Sequence, residues 1–395
     1  MYLQKQKIVI HFLCYTPRIY SALDSFTLAL SLELQKKGYN SVFVFSNEIF
    51  PKVMEYDILH SGAKVELLET RRGKIRIIKE LNYLLKKYKP EIAHSHFELY
   101  IKTILALMCC VYGIKLYFSN HSLQFNQATK DYQKRKGLLK VIRWRLHLRF
   151  LLFACKKSFC VSEAVRKEYS CYSGTDSKKL QTLCLGVRIN TIRCSKDLLR
   201  RKLNFPLDKI LVVNISAIEY VKGIDIIIKA IRLLIEKYQQ NNFQIIHVGG
   251  MRSNSEANFQ YINKLKSLQK ELLGNSKYFK WLGKRDDIDN ILSACDIYIH
   301  PSRAEGMPTT IMEAFSANLP TIGSRVGGIP EIIENGKNGL LIEPENEFQL
   351  ADSLNYLISN KILRVEMGNK AFSSVKKNWN LERQVAKMIE AYEII

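Results

Sequence analysis

Long hydrophobic runs are missing from this chain of 395 residues. The longest apolar stretch, residues 103–114, is flanked by Lys102 and Lys115 and is too short to span a bilayer. A short apolar segment near the start, residues 8–13, is not followed by a small-residue cleavage site, so it does not resemble a secretory signal. These absences predict a protein that is made and kept in the cytoplasm.

Paired cysteine motifs are also missing. The nine cysteines are odd in number, scattered along the chain and without a C-x-x-C pair. We therefore expect reduced thiols rather than a disulfide framework or a cysteine-bound metal.

Acidic residues are scarce in the first half of the chain. Residues 1–200 hold 35 Lys and Arg against 15 Asp and Glu, whereas residues 201–395 hold 25 against 22. This asymmetry predicts an anionic partner for the first half, either nucleic acid or an anionic membrane surface. The basic stretches lack the interleaved aromatics of a base-stacking platform, and no nucleic-acid motif is present, so we expect no nucleic-acid partner.

Short β-branched runs alternate with helical stretches in both halves, a pattern typical of parallel sheets covered by helices. The predicted strands are 8–13, 41–45, 65–68, 91–94, 115–118 and 159–161, then 210–215, 244–248, 296–300, 320–323 and 339–342. We predict an α/β fold of two Rossmann-like domains facing a cleft. The predicted boundary lies near 188–208, giving domains 1–195 and 205–375 and a last helix, 376–395, that can pack back on the first domain.

The segment with the most chemical information is H-P-S-R-A-E-G-M-P-T-T-I-M-E-A-F, residues 300–315. A strand ends here and a helix begins, and ligands of open α/β sheets bind at the carboxyl ends of strands. Glu305 lies on the loop and Glu313 in the helix, where carboxylates suit sugar hydroxyls. Backbone N–H groups at the helix start suit a diphosphate. Those N–H groups belong to Gly306, Met307, Thr309 and Thr310.

This segment resembles the signature of glycosyltransferase family 4, the retaining enzymes of GT-B fold. Further matches to the family are K-G-I-D at 222–225, W-L-G-K-R at 281–285, P-T-I-G-S-R-V-G-G-I-P-E at 320–331 and N-G-K-N-G-L at 335–340. Looser matches are H-S-H at 94–96, S-N-H at 119–121 and V-S-E-A at 161–164. The resemblance implies catalytic roles for His121, Lys222 and Glu305, with Lys222 on the diphosphate, Glu305 on the hexose and His121 beside the transferred sugar. It implies donor-binding roles for Glu313, on the ribose, and for Arg285.

The sequence departs from the family pattern at two places. Ser21 and Ala22 stand where the family has a glycine pair close to the phosphate and the acceptor. Ala217 stands where the family often has an arginine five residues before the diphosphate lysine, so one expected cation is missing. Arg285 or Arg325 could replace it.

Several of these residues also allow plain structural interpretations. Thr310-x-x-Glu313 is a capping box, Lys222 could be a solvated loop lysine, and His121 could be a satisfied histidine at a strand end. His94 and His96 lie on one face of a strand, but with no third ligand apparent we favour a structural His94 over a metal site. The D-I-D at 287–289 is explained by an acidic first helical turn. We therefore expect neither a metal nor another cofactor.

Residues 134–157 hold nine Lys and Arg and no acid. At 3.6 residues per turn they form a helix with two apolar stripes on opposite sides. One stripe consists of Leu139, Ile142, Leu146, Phe150 and Phe153, and the other of Val141, Trp144, Leu148 and Leu152. We expect one stripe to pack on the core and the Trp144 stripe, with Arg145 and Arg149, to face the headgroups of an anionic membrane. The alternative is a helix buried on two faces with solvated charges. A second basic stretch, 71–89, holds eight Lys and Arg.

The expected function is transfer of a hexose-type sugar, with retention, from a nucleotide sugar to a lipid-linked or surface-polysaccharide acceptor. The resemblance favours a UDP-sugar over a GDP-sugar and suggests lipopolysaccharide or capsule assembly at the inner face of the plasma membrane, with a peripherally bound enzyme. Two alternatives stay open: a cytosolic transferase with a soluble acceptor, and a degenerate sugar-nucleotide-binding subunit. The departures at Ser21, Ala22 and Ala217 motivate the second.

Overall fold

The structure is a computed structural model that describes residues 7–15, 21–46, 57–58, 60–69, 73–96, 99–121, 138–192, 194–251, 256–274 and 277–394. It divides the chain into two compact units. The first consists of Met1–Gly186 and Leu381–Ile395, and the second of Val187–Asn380. The division falls just before the predicted boundary region.

The first unit is built on a parallel sheet. Its strands are Lys7–Phe12 (β1), Tyr39–Phe45 (β2), Lys64–Leu67 (β3), Ile92–Ser95 (β4), Lys115–Asn120 (β5), Lys157–Cys160 (β6) and Leu180–Thr182 (β7). Its helices include Ala22–Lys36 (α1), Lys74–Tyr88 (α2), Leu99–Tyr112 (α3), Leu138–Ala154 (α4) and Glu163–Ser173 (α5). In space the strand order is β3-β2-β1-β4-β5-β6-β7. The direction of strand addition therefore reverses between β1 and β4.

Both faces of this sheet are covered, which explains why its strands read as nearly continuous apolar runs. One face packs against α2, α3 and α4 through residues such as Leu81, Leu105 and Leu151. The other packs against α1 through Phe26 and Leu30.

The second unit has a parallel sheet of the same kind. Its strands are Ile210–Ile215 (β8), Phe243–Val248 (β9), Phe279–Gly283 (β10), Ile297–His300 (β11), Thr321–Ser324 (β12) and Gly339–Ile342 (β13). Its helices are Lys196–Lys202 (α6), Ile224–Glu236 (α7), Glu256–Leu273 (α8), Ile288–Ala294 (α9), Thr309–Ser316 (α10), Ile329–Ile332 (α11), Glu347–Ser359 (α12) and Lys361–Asn378 (α13). The order β10-β9-β8-β11-β12-β13 reverses between β8 and β11. Such a reversal opens a crevice at the carboxyl ends of the two strands, where ligands of α/β sheets bind.

The last helix, Leu381–Ala391 (α14), belongs to the first unit. Its buried side chains Leu381, Val385 and Met388 join the cluster that α1 forms on the sheet. The helix therefore completes the core of the first unit, although it is separated from the rest of that unit by about two hundred residues of sequence.

The predicted α/β architecture is confirmed, whereas two strands were missed. β7 has three residues, and β10, at the edge of its sheet, has a single fully buried position, Phe279. Neither gives the continuous apolar run that marks an inner parallel strand. The nine cysteines are all free; six of them are buried, and Cys110, Cys171 and Cys194 are exposed.

The expectation for helix α4 is wrong in one respect. Leu148 and Leu152, on the Trp144 stripe, are buried, and half-buried Trp144 stacks on His147. The outward stripe is the other one, in which Leu146 is 59% and Phe153 80% exposed. The reason is that α4 must turn Leu148 and its neighbours inward to pack on the unit. Residues 134–137, with the side chains of Leu139 and Val141, lie outside the described residues.

Arg149 is also not a free headgroup ligand. Its guanidinium donates to the carbonyl oxygens of Ser173 at 2.9 Å and Gly174 at 3.1 Å, at the end of α5. A cation at a helix C-terminus satisfies carbonyls that have no partner within the helix. Among the described residues, no helix is long and apolar enough to cross a membrane.

Candidate active site

Glu305 follows strand β11, at the point where the strand order of the second sheet reverses. Its side chain is 10% exposed, and three donors converge on one carboxylate oxygen, Oε1. Lys222 Nζ and His300 Nε2 each lie 2.7 Å from it, and Ser302 Oγ lies 2.9 Å from it. No described residue hydrogen-bonds the other oxygen, Oε2, which leaves it available to a ligand.

The electrostatics of this cluster hold Glu305 ionised. Burial acts to raise the pKa of its carboxyl group, but the charge of Lys222 and the hydrogen bond from His300 outweigh burial and lower the pKa to about 2. A carboxylate that is ionised and oriented before a ligand arrives is a strong acceptor for hydroxyl groups.

A glycine lets Lys222 reach Glu305. Lys222 ends a 3₁₀ turn, Tyr220–Lys222, and Gly223 follows with φ of +69°. A Cβ at Gly223 would lie 2.0 Å from the carbonyl oxygen of Pro301, the residue that follows β11. Because no side chain fits at that contact, only glycine allows the turn after β8 to approach the loop after β11.

Arg303 anchors the loop that carries Glu305, and sequence reasoning missed it. Its guanidinium donates two hydrogen bonds to Asp225, at 2.9 and 2.8 Å, and one to Glu345 at 2.7 Å. It also lies 3.8 Å from the ring centroid of Tyr220, a cation–π contact. The acid of the K-G-I-D motif, Asp225, is the signal in the sequence that indicates a basic partner on the loop.

Glu313 lies on α10, half-buried and without a hydrogen bond or ion pair to any described residue. The capping box with Thr310 does not form, because the helix is preceded by Pro308 and has no side-chain cap. Thr310 bonds Tyr298 instead. Burial, with a smaller contribution from Asp289, raises the pKa of Glu313 to about 7.

The start of α10 offers backbone donors beside these carboxylates. Thr309 and Thr310 are its first two residues, and first-turn N–H groups have no acceptor within their helix. Gly306 and Met307 form the loop that leads to them, and the Gly306 carbonyl is held by the Gly328 N–H at 3.1 Å.

Neither arginine suggested as a replacement for the missing cation joins the Glu305 cluster. Arg285 pairs with Asp287 at 2.6 Å, and Arg325 pairs with Glu343 at 3.1 Å. Asp287 immediately precedes helix α9, and Asp289 lies in its first turn, in agreement with the structural interpretation of D-I-D.

In the first unit, His121 directly follows β5. Its Nε2 atom lies 3.2 Å from Nδ1 of His96, and the two rings stack with centroids 5.4 Å apart. Burial, together with the charge of Lys102, lowers the pKa of His121 to about 3, so the imidazole is neutral at physiological pH.

The premise that His94 and His96 have no third histidine nearby is wrong. Strands β1 and β4 pair in register and place His11 opposite His94, so that one nitrogen of each of the three rings lies within 4.8 Å of the others. Both nitrogens of His94 are already hydrogen-bonded, to Tyr392 and Ser119, and its ring stacks on His96 with centroids 4.1 Å apart. Because both nitrogens of His94 already have hydrogen-bond partners, the geometry favours the structural role for His94.

Ser21 and Ala22 begin helix α1, and the departure from glycine causes no strain. Ser21 has φ of −108°, which any residue adopts, and serves as the N-cap in a capping box with Asp24. Asp24 accepts hydrogen bonds from the backbone N–H of Ser21, at 2.7 Å, and from the Tyr15 hydroxyl.

Two family profiles match the chain. The profile described as Glycosyl transferases group 1 matches residues 195–374, and the profile described as Glycosyltransferase Family 4 matches residues 24–191. Together they cover both units. With two Rossmann-type sheets and the signature loop in place, the chain belongs to the family 4 glycosyltransferases of GT-B fold.

The relatives and solved structures agree with this assignment. A D-inositol 3-phosphate glycosyltransferase of Corynebacterium jeikeium is 28% identical over 180 residues, which are 45% of this chain and 42% of that protein. This chain thus aligns with less than half the length of that relative. The UDP-Gal:alpha-D-GlcNAc-diphosphoundecaprenol alpha-1,3-galactosyltransferase of Escherichia coli is 24% identical over 368 residues, which are 85% of each chain. The structure of Anabaena HepE with UDP and glucose superposes with a TM-score of 0.80 at 15% identity, over 98% of this chain and 100% of that one.

We predict that Lys222→Met destabilises the protein by about 3 kcal/mol at pH 7, because it leaves a buried carboxylate without its ammonium partner. The folded-state pKa of Glu305 is below its unfolded value, so the stabilisation is complete above about pH 4.5 and is lost as the pH falls toward 2. Urea unfolding should therefore show a smaller difference between wild type and variant at pH 3 than at pH 7.

The matched control is Lys337→Met, which removes the exposed ion pair with Glu334 and should change stability by less than about 1 kcal/mol. An equal loss at both pH values for Lys222→Met would show that packing, not the ion pair, causes the effect.

Proposed function

We propose that the protein transfers a hexose, with retention of the anomeric configuration, from a UDP-sugar to a lipid-linked saccharide. The observation that carries this proposal is the Glu305 carboxylate, held through Oε1 by three donors with Oε2 left open. Eight residues further on, Glu313 has no described partner and is free to accept from another part of the same ligand.

The donor would bind at the crevice between β8 and β11 of the second unit. Oε2 of Glu305 would accept from hydroxyls of the hexose, and Glu313 from those of the ribose. The N–H groups at the start of α10 and the ammonium of Lys222 would hold the diphosphate. HepE, which shares the fold, has been solved with UDP and glucose, which supports a UDP-sugar as the donor.

The chemistry requires no protein nucleophile. The C1–O bond to the diphosphate breaks, the acceptor oxygen attacks C1 on the same face, and the leaving diphosphate takes the acceptor proton. The protein's contribution is positioning and stabilisation of an oxocarbenium-like state. Neutral His121 would lie beside the transferred sugar.

The acceptor class rests on two supports. The E. coli relative that aligns with 85% of the chain is named for a diphosphoundecaprenol acceptor. The first unit presents a surface suited to the membrane in which such an acceptor resides.

That surface is formed by α2, α3 and α4, which lie side by side on one face of the first sheet. Its exposed apolar side chains are Ile75, Ile78 and Tyr83 on α2, Leu107, Val111 and Tyr112 on α3, and Ile142, Leu146 and Phe153 on α4. The three helices carry ten Lys and Arg and a single acid, Glu80. The exposed part of α3 bears no charge, while α2 and α4 on either side are cationic, so apolar side chains could enter the headgroup region between two basic flanks.

The proposed location is therefore peripheral, on an anionic membrane leaflet, with Arg143 and Arg145 replacing Trp144 and Arg149 as the relevant residues of α4. Both arginines are exposed. Each Lys or Arg near an anionic surface contributes about 1 kcal/mol, so a few acting together give reversible binding.

Replacing each of the two glutamates by glutamine should distinguish a role in donor binding from a role in turnover. Glu313→Gln should mainly raise the KM for the donor, and Glu305→Gln should mainly lower kcat, each by roughly ten- to a hundredfold, because a hydrogen bond to a charged group contributes about 1.5–3 kcal/mol. Since the pKa of Glu313 is about 7, the KM should rise as the pH falls below 7 in the wild type and stay flat in Glu313→Gln.

Steady-state kinetics with a UDP-sugar and a diphosphate-linked acceptor measure both effects, and exposed Glu334→Gln is the control. Near-wild-type constants for both variants would refute the site. A protein that binds UDP but neither hydrolyses nor transfers the sugar would support the binding-subunit alternative.

We expect the reaction to proceed without a metal ion, because Lys222 and helix N–H groups are proposed to hold the diphosphate. Excess EDTA should leave the initial rate within about twofold of the untreated rate, whereas a metal that generated a nucleophile or clamped the phosphates would be essential. Loss of activity in EDTA with rescue by Mn²⁺ would contradict this expectation and return Asp287 and Asp289 to consideration.

Membrane binding can be tested by flotation with neutral and anionic vesicles. We predict binding to anionic vesicles alone, weakening as salt shortens the Debye length from about 10 Å at 0.1 M to about 3 Å at 1 M. The triple change Val111→Gln, Leu146→Gln and Phe153→Gln should abolish it while transfer to a short soluble acceptor survives.

A matched triple change on the second unit, at exposed Phe348, Ile362 and Val365, should float like the wild type. Equal flotation of wild type on both vesicle types, or none on either, would favour the enzyme with a soluble acceptor.

A further inference from the structure

The contact between Lys222 and Glu305 has to serve two purposes in the proposed site. It joins the turn after β8 to the loop after β11, because Lys222 Nζ lies 2.7 Å from Glu305 Oε1. The same ammonium group is proposed to hold the diphosphate of the donor, and Ala217 stands where the family often has a second cation. When the ammonium group moves toward the diphosphate, its contact with Glu305 weakens. The two chain segments then need a second connection if they are to keep their positions.

Arg303 makes that second connection. It lies two residues before Glu305, and its contacts fall on the two residues that precede Lys222. Its backbone N–H donates to the carbonyl oxygen of Val221 at 2.7 Å, and its Nη1 atom donates to the carbonyl oxygen of Tyr220 at 2.6 Å. Its guanidinium group also lies 3.8 Å from the centroid of the Tyr220 ring. None of these contacts uses the ammonium group of Lys222.

The guanidinium group of Arg303 is itself held in place. Its Nη1 and Nη2 atoms donate to the two carboxylate oxygens of Asp225, at 2.9 and 2.8 Å, and Nε donates to Glu345 at 2.7 Å. The side chains of Arg303 and Asp225 are only 14% and 18% exposed, so water screens this pair little. Burial acts to raise the pKa of Asp225, but Arg303 outweighs burial and holds the pKa below its usual value. Because Asp225 lies in the first turn of α7, the pair ties the loop after β11 to a helix of 13 residues.

We infer that Arg303 is a positioning residue for Lys222. It holds the Tyr220–Lys222 turn against the Glu305 loop independently of the Lys222–Glu305 ion pair, so that the ammonium group can bind a diphosphate without separation of the two segments. This inference rests on the proposed nucleoside-diphosphate-sugar donor and names the residue that places the cation for its anionic part. The guanidinium shape is essential to this role. Arg303→Lys would keep the charge, but a single ammonium nitrogen cannot reproduce the planar pair of bonds to Asp225 together with those to Tyr220 and Glu345.

The first test compares the binding of UDP and of uridine to wild type and Arg303→Lys by calorimetry at pH 7.5. We expect the variant to bind UDP about tenfold more weakly, because the turn no longer holds the Lys222 ammonium group in place. The affinity for uridine, which has no phosphate, should stay within about twofold of the wild-type value. The matched control is Arg232→Lys, which alters an exposed ion pair with Glu236 on α7 and should leave both affinities within about twofold.

A double-mutant cycle tests whether Arg303 acts through Lys222. In the Lys222→Met background the cation is already lost, so adding Arg303→Lys should weaken UDP binding by no more than about twofold. A further loss of about tenfold would contradict the inference, because Arg303 would then act on the ligand by another route.

NMR of the wild-type protein provides a measurement that needs no variant to fold. In the absence of a ligand, the Nε–H signal of Arg303 should be observed and protected from exchange with water, since its hydrogen is bonded to Glu345. Saturation with UDP should shift the signal of the Lys222 ammonium group and leave the Arg303 signal protected. Loss of that protection in the presence of UDP would overturn the inference, because Arg303 would then release the turn when the ligand binds.

Equal losses of affinity for UDP and uridine in Arg303→Lys would also overturn it, since Arg303 would then only support the fold. Failure of wild type to bind UDP would be a different result, because it would reject the proposed donor together with this inference. Normal UDP binding and sugar transfer by wild type, with an unchanged UDP affinity in Arg303→Lys, would reject the inference alone.

Discussion

One buried carboxylate, Glu305, sets the conditions that the rest of the second unit meets. A buried charge is tolerated only when it is paired and hydrogen-bonded, and here the pairing needs a lysine from the turn after β8 and a histidine from the end of β11. The reversal of strand order brings those two chain segments together, and Gly223 lets them approach within the reach of Lys222. The same pairing leaves the other oxygen of Glu305 without a hydrogen bond to any described residue, so the arrangement that stabilises the carboxylate also leaves it available to the proposed donor.

The sequence allowed much of this to be predicted, because strands β8 and β13 and the loop around Glu305 have strong local signals. Periodicity identifies an inner parallel strand, and a long signature places its loop. Contacts between distant segments carry no such signal. Nothing local distinguishes His300, the last residue of a strand, from a buried structural histidine. The third histidine beside His94 depends on the register of β1 and β4, and the outward side of α4 depends on what that helix packs against.

The structure shows where part of the charge asymmetry between the two halves of the sequence lies. Ten of the 35 Lys and Arg of residues 1–200, with a single acid, lie on the three helices of one face of one sheet, and among these helices lies the exposed, uncharged end of α3. The second half of the sequence, residues 201–395, is nearly neutral, and several of its cations are held in specific pairs, such as Arg303 with Asp225. On α2, α3 and α4, cations are spread over a face whose proposed partner is a broad anionic surface. Around the proposed donor site, cations such as Arg303 are paired with acids, and the proposed partner is a single ligand.

The position of α14 has a consequence for the order in which the chain folds during synthesis. The second unit, Val187–Asn380, is contiguous, and all its strands have been made before α14 begins. The core of the first unit lacks Leu381, Val385 and Met388 until that helix leaves the ribosome. Because synthesis proceeds at about 5–20 residues per second, the apolar side of α1 would stay without its contact to α14 for roughly ten seconds or more. The half of the protein made first is therefore the half completed last, and the apolar surface exposed during that interval favours aggregation unless it is shielded.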